Sequence, residues 1–239
     1  EMQRSDILRF VAKTLAAVQK SSISTTVDEA LDMLIQLNII QNHRGHLLAS
    51  ATGRAAALMY VDPIDLWYLR RALKQKPMTP TIIAQAFASM PSFAIPTYVP
   101  DDLIDPIEMD YGYQTLLATG LRDWLAGKPQ QPSTAFIVNP FIADVARWTS
   151  ALAISGIPKS YLKSLELMLI NGVPETLTEL VTLSGIGRKR ALDLYNHGIT
   201  KRSDITKNER LSRNILGAKT YEKVKMQLDA KKGKITFVF

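Results

Sequence analysis

The 239-residue sequence contains no cysteine. Disulfide staples, thiolate metal sites and cysteine nucleophiles are therefore excluded, and the composition fits a reducing compartment. Histidine is scarce too. His43 and His46 fall in one predicted turn and His197 lies far along the chain, which is too few ligands at too poor a spacing for zinc. No apolar run approaches the ~20 residues needed to cross a bilayer, so no membrane contact is expected. The opening Glu-Met-Gln-Arg-Ser-Asp does not read as a secretory signal. No Gly-x-x-x-x-Gly-Lys-Ser/Thr loop is present to hold nucleotide phosphates. The acids Asp101, Asp102, Asp105, Glu108 and Asp110 cluster but lack a metal-ligand spacing, and read as a solvated acidic loop. No catalytic residue, metal site or cofactor is expected in this chain.

What is present is a sequence able to pack, 46% hydrophobic and 21% charged, with a net charge of +7. The charge is uneven. Fourteen of the 29 Lys and Arg residues but only five of the 22 acids lie from Ser184 onward, so that segment carries +9 and the rest −2. A basic end on a near-neutral body suggests a localised contact with a polyanion; a solubilising tail is the plainer alternative.

The pattern is mainly helical. Ile7, Phe10, Val11, Leu15 and Val18 recur at helical spacing. A polar turn follows from Lys20 to Thr25. Thr26 with Glu29 three residues on predicts the capped start of a second helix, burying Ala30, Leu31 and Leu34. Ile39-Ile40 and Leu47-Leu48 flank the turn Asn42-His43-Arg44-Gly45, a β-hairpin signature. A third helix is expected from about Thr52. Helix, helix, small hairpin is the skeleton of a winged helix. From Ile64 to about Pro174 there is helical pattern without strand alternation, and frequent prolines divide it into short helices, predicting a helical bundle. Met90 to Pro106 is expected to be a long loop and Lys128 to Ser133 a second. From Pro174 short basic helices lead to a Lys234–Phe239 end whose strand character is left open.

Two motifs carry functional chemistry. In Leu183-Ser184-Gly185-Ile186-Gly187-Arg188-Lys189-Arg190 two glycines permit a tight turn between helical runs, the form of a helix-hairpin-helix. Amides at the start of the second helix can face a phosphate. Gly185, Ile186 and Gly187 supply the turn, and Arg188, Lys189 and Arg190 the cations. Cations are unfavourable at a helix N-terminus, a conflict that an external anion relieves. Such contacts read the backbone, so binding is expected to be salt-sensitive and sequence-independent; a purely packing role is the alternative. Ile215-Leu216-Gly217-Ala218-Lys219 is a degenerate second copy, read as structural. The other motif is Asn139-Pro140, read as N-cap and first position of a helix that buries Ile142, Val145, Ala146, Thr149, Leu152 and Ala153. Trp148 falls at the edge of that stripe, where an indole can stack on a base, with Arg147 beside it in sequence on another face. Trp67 and Trp124 read as core.

The stretches Ala51-Thr52-Gly53-Arg54 and Tyr60-Val61-Asp62-Pro63, followed by the bundle and then Ser184-Gly185-Ile186-Gly187, resemble the C-terminal region of Ski-type superfamily-two helicases, which include archaeal repair helicases and the helicase part of DNA polymerase theta. The resemblance spans nearly the whole chain through short motifs in a shared order. It implies a winged helix over residues 1–62, a helical ratchet bundle over 63–174 and a helix-hairpin-helix module over 175–239. It also implies a tryptophan on a ratchet helix, here Trp148, stacked on a base of the translocating strand. Phe141 stands where family members often carry an arginine, and Ser184 where a proline is common.

The resemblance further implies that ATP and Mg belong to motor domains absent from this sequence, supplied in cis or in trans. The expected protein is an intracellular monomer of cytoplasm or nucleus that guides single-stranded or branched DNA or RNA during unwinding and repair. Two alternatives remain at this point: a standalone nucleic-acid-binding adaptor, for which Met2 would serve as a native start, and a protein-interaction module without a motor.

Overall fold

The computed structural model describes residues 2–14, 23–74, 76–94 and 112–233. Leu15, Val18, the acidic loop and the Lys234–Phe239 end lie outside the described residues. The described chain is mainly helical with one small antiparallel sheet.

The N-terminal part runs β1 (Met2–Gln3), α1 (Arg4–Val11), α2 (Ile23–Gln36), β2 (Ile40–His43), β3 (His46–Ala49) and α3 (Ala51–Met59). The predicted hairpin forms, with Ile40 opposite Ala49 and His43 opposite His46. Its turn has two successive positive φ values, 53° at Arg44 and 87° at Gly45, the backbone twist that matches two antiparallel strands. The side chain of Asn42 accepts a hydrogen bond from the Gly45 amide at 3.0 Å. Strand β1 pairs Met2 with Leu47 and completes the order β1-β3-β2. At two residues it is too short to show alternation in sequence. Helix α2 begins at Ile23, so Thr26 and Glu29 lie inside it rather than at its start. A two-residue capping signal yields here to helix that continues through it. Arg4 ties α1 to α2, its Nε donating to Asp28 and its Nη1 to Asp32, both at 2.6 Å.

The middle part is built of α4 (Pro63–Leu73), α5 (Pro80–Ala88), a 3-10 turn (Pro91–Ala94), α6 (Tyr113–Leu125), α7 (Pro132–Ala143), α8 (Val145–Ile154) and α9 (Lys159–Asn171). Proline opens α4, α5 and α7, where its missing N–H has no intrahelical acceptor to lose. Asp62 and Thr79 cap the first two from their side chains. Pro140 departs from the expected pattern. It lies inside α7, and Asn139 is no N-cap. The chain breaks four residues later at Asp144 (φ −99°, ψ −1°) before α8 restarts at Val145. A proline disturbs the turn before it, through the carbonyl four residues back, and the helix absorbs that disturbance before ending.

One large core extends from Ala55 to Leu169 and includes Leu66, Phe87, Leu117, Leu152 and Leu165. Helix α3 packs on α8 and contributes Ala55 and Ala56 to this core. A second core, from Val173 to Leu228, holds together α10 (Thr178–Val181), α11 (Arg188–Asn196), α12 (Arg202–Lys207), α13 (Glu209–Leu216) and α14 (Ala218–Gly233). Among the described residues no helix is long and apolar enough to cross a membrane.

Helices α6 and α7 cross closely at Gly120. A Cβ there would lie 2.8 Å from the side chains of both Thr134 and Val138. Gly120→Ala is expected to destabilise the fold by about 1–3 kcal/mol through overpacking, read as a lower urea midpoint at unchanged slope.

Candidate nucleic-acid interface

The glycine turn ahead of α11 is open to solvent. Ser184, Gly185 and Gly187 are exposed, while Ile186 between them is buried at 3% exposure and anchors the turn in the second core. Gly185 has φ +101°, a region closed to most side chains. Its missing Cβ would touch Thr220 of α14 at 3.0 Å. The Ile186 amide donates to the Leu183 carbonyl at 2.9 Å. Gln227 braces the turn from α14, accepting from the Ser184 amide at 2.9 Å and donating to the Ser184 carbonyl at 3.1 Å. Gly187 stands at the N-cap of α11 with no side chain to close it. The amides of the first helical turn have no intrahelical acceptor, and a cleft of about 580 Å³ at this helix start is lined by Gly187, Arg188, Lys189, Arg190, Asp193 and Ile215.

The three cations of this turn part company. Arg188 is half-buried. Its guanidinium carbon lies 4.1 Å from the centroid of the Trp124 ring. Its Nε donates to the Gly172 carbonyl at 3.1 Å and its Nη2 to the Lys128 carbonyl at 2.7 Å. Burial draws its pKa downward. The charge conflict at the helix start is thus resolved inside the protein for Arg188, by an indole face and two carbonyls. Arg190 donates to the Gly185 carbonyl at 2.7 Å and stiffens the turn. Lys189 is exposed; among the described residues no carboxylate pairs with it.

In the bundle, Trp148 is more enclosed than a place at the stripe's edge suggests, at 8% exposure. It still reaches a cleft of about 450 Å³, whose walls include Phe93, Tyr113, Phe136, Pro140 and Phe141. Phe141 is held edge-on between Phe87 and Phe93, with centroids 4.7 and 6.2 Å away. Phe136 is 43% exposed at the mouth. The break at Asp144 puts Arg147 and Trp148 in the first turn of α8, and both line this cleft, although helical spacing assigns them to different faces. Arg147 pairs with Asp144, which raises its pKa, and donates to the Tyr60 carbonyl at 3.1 Å. The two clefts share no lining residue, so the motifs form separate sites.

Sequence spacing did not single out Phe93, Tyr113 and Phe136, which line the same cleft as Trp148 from three other elements, nor Gln227, which lies 43 residues from the turn it braces. Trp124, read as core, is half-buried; its Nε1 donates to the Leu169 carbonyl at 2.6 Å while its face takes Arg188. Arg188→Ala is expected to destabilise the chain by about 1–3 kcal/mol, from the lost stacking and the carbonyls left behind. Faster amide exchange over residues 188–196 than elsewhere would mark the loss as local to α11, and Arg188→Lys should restore only part of it.

No protein-family model matches the chain. Among known proteins it is similar to the ATP-dependent DNA helicase Hel308 of Methanocella arvoryzae, 24% identical over 84% of this chain and 33% of that protein. The Hel308 of Thermococcus kodakarensis is 27% identical over 84% of this chain and 21% of its own length. A putative helicase 7 of a Sulfolobus islandicus filamentous virus is 40% identical over 24% of this chain and 10% of its own length. The chain therefore spans a third or less of the length of these relatives, and it is similar to a region of ATP-dependent DNA helicases.

Proposed function

We propose that this chain is the strand-guiding region of an ATP-dependent DNA helicase, working with motor domains that hold ATP and Mg. The observation that carries the reading is the cleft at the uncapped start of α11, lined by Gly187, Arg188, Lys189 and Arg190, in a chain similar to DNA helicases over most of its length. The sheet order β1-β3-β2 beside α1, α2 and α3 supports a winged helix over residues 1–62. The proline-divided helices support a ratchet bundle over 63–174. The glycine turns at Gly185 and Gly217, each joining two helices, support a helix-hairpin-helix module over 175–239.

In this reading the uncapped backbone amides of the first turn of α11 and Lys189 take phosphates. Arg188 and Arg190 hold the turn in place. The aromatic cleft takes a base, with Trp148 as its inner wall, Phe136 as its rim and Arg147 beside the entrance. Contacts of this kind do not read sequence; the motor supplies direction and energy.

Affinity for a fluorescein-labelled oligothymidylate, measured by anisotropy against salt, tests the proposal. Lys189→Ala should make the slope of log affinity on log salt shallower by about 0.7, one phosphate on a single strand. A wild type that fails to bind even at low salt would favour a protein-interaction module. Trp148→Ala is a poor probe, because removing a buried tryptophan costs about 3–5 kcal/mol of stability. Phe136→Ala is the cleaner one: roughly five- to hundredfold weaker binding is expected from a lost stacking contact, with an unchanged melting temperature.

A further inference from the structure

The charge tally hides a second basic surface. Residues 1–183 carry −2 overall, yet no Asp or Glu occurs between Asp65 and Asp101, and the only Lys and Arg residues in that stretch are Arg70, Arg71, Lys74 and Lys76. Structure gathers them. On α4 the residues Leu66, Leu69 and Leu73 enter the core. Trp67, Arg70, Arg71 and Lys74, at spacings of three, four and seven, then share an adjoining face. The Arg71 guanidinium lies 5.2 Å from the centroid of the Trp67 ring, and Arg70 Nε donates to the Ser155 carbonyl at 2.8 Å. Among the described residues no carboxylate pairs with any of these four cations, although Arg4, Arg122, Arg147 and Arg213 all have acidic partners.

Beside this face lies a cleft of about 300 Å³. Arg70, Lys74 and Lys76 line it, and Leu73, Ile157, Pro158 and Tyr161 give it apolar walls. No carboxylate takes part. Tyr161 brings an unexplained group: its hydroxyl is closed to solvent and has no hydrogen-bond partner. Buried hydroxyls are nearly always satisfied. The favourable meeting of cations with the C-terminus of α4 accounts for Arg70 and Arg71 in its last turn. It does not account for Lys76 beyond the helix or for the apolar walls.

We propose that this cleft binds one nucleotide of a single nucleic-acid strand. The base lies against Leu73, Ile157 and the ring of Tyr161. The flanking phosphates lie on Arg70, Lys74 and Lys76. A base within a duplex is stacked and paired and cannot enter such a cleft, so the ligand is single-stranded. The cleft sits at the α8–α9 junction, whereas Trp148 sits in the first turn of α8, so the bundle offers a strand two contacts, one at each end of α8. This inference rests on the nucleic-acid reading above and extends it to a site outside both sequence motifs.

The test uses the whole chain and an oligothymidylate carrying 5-iododeoxyuridine. Lys74 and Lys76 are exposed, so the double variant Lys74→Ala, Lys76→Ala should melt as the wild type does. Its salt slope should be shallower by roughly 1.4, two phosphates on a single strand. Photocrosslinked peptides should include one from residues 156–163. If wild type binds but the double variant keeps its slope and no crosslink falls in that peptide, this site is wrong and the Gly185 reading stands. If wild type binds no oligonucleotide at any salt, both fall. Displacement of the oligonucleotide by polyglutamate at equal charge concentration would make the cleft an acidic-protein site and overturn the proposal.

Discussion

The two hydrophobic cores meet where the guanidinium of Arg188 lies on the indole of Trp124. Few side chains suit that position. The group must be planar to stack and forked to reach the carbonyls of Gly172 and Lys128 together, and it must stay charged where burial disfavours charge. The approach is close on both sides. Trp124 is pinned by its own bond to Leu169, and Gly172 leaves no room for a Cβ against the indole, the distance being 2.5 Å. The start of α11, and with it the Gly185 turn, is therefore oriented by the bundle and not only by the module to which it belongs. A residue that reads in sequence as part of a basic contact instead sets where that contact is.

The same division of labour runs through the other cations. Arg4 and Arg213 hold elements together by pairing with acids, Arg147 pairs with the N-cap of its own helix and reaches the Tyr60 carbonyl, and Arg190 closes a turn. Surface pairs of this kind stabilise weakly, and their main effect is to fix geometry. Lys189 on α11 and Arg70, Lys74 and Lys76 around α4 have no acidic partner among the described residues, and they border clefts. Net charge alone does not separate these two populations; partner lists do.

Much of the local structure was legible in the sequence. The hairpin was, because Asn42 to Gly45 has the turn chemistry and Ile40 and Leu47 the flanking apolar pattern. The proline-opened helices were, because proline at a first position acts through its own missing N–H. The Gly185 turn was, because two glycines one residue apart have few other uses beside a helix. Signals that depend on what lies across space were not. Pro140 looked like a helix start because there it costs nothing, whereas inside α7 it forgoes the bond to the carbonyl four residues back, a cost the local sequence does not show the helix accepting. Thr26 and Glu29 likewise offered a cap that helix upstream of them made unnecessary. The aromatic wall around Trp148 comes from α7 just upstream and also from α6 and the 3-10 turn after α5, which lie far from it in sequence. The depth of Trp148 followed from that wall and not from its angle on α8.

Helix α3 has a consequence for how this polypeptide can be dissected. By chain order it completes the N-terminal sheet unit, yet Ala55 and Ala56 are buried in the same core as Leu152 of α8. A cut after Asp62 would strip α8 of one of its neighbours and leave an apolar trough on the larger fragment, while the smaller one would carry a helix packed only on its hairpin side. Fragments intended to behave as soluble pieces should keep α3 and α8 on the same side of the cut.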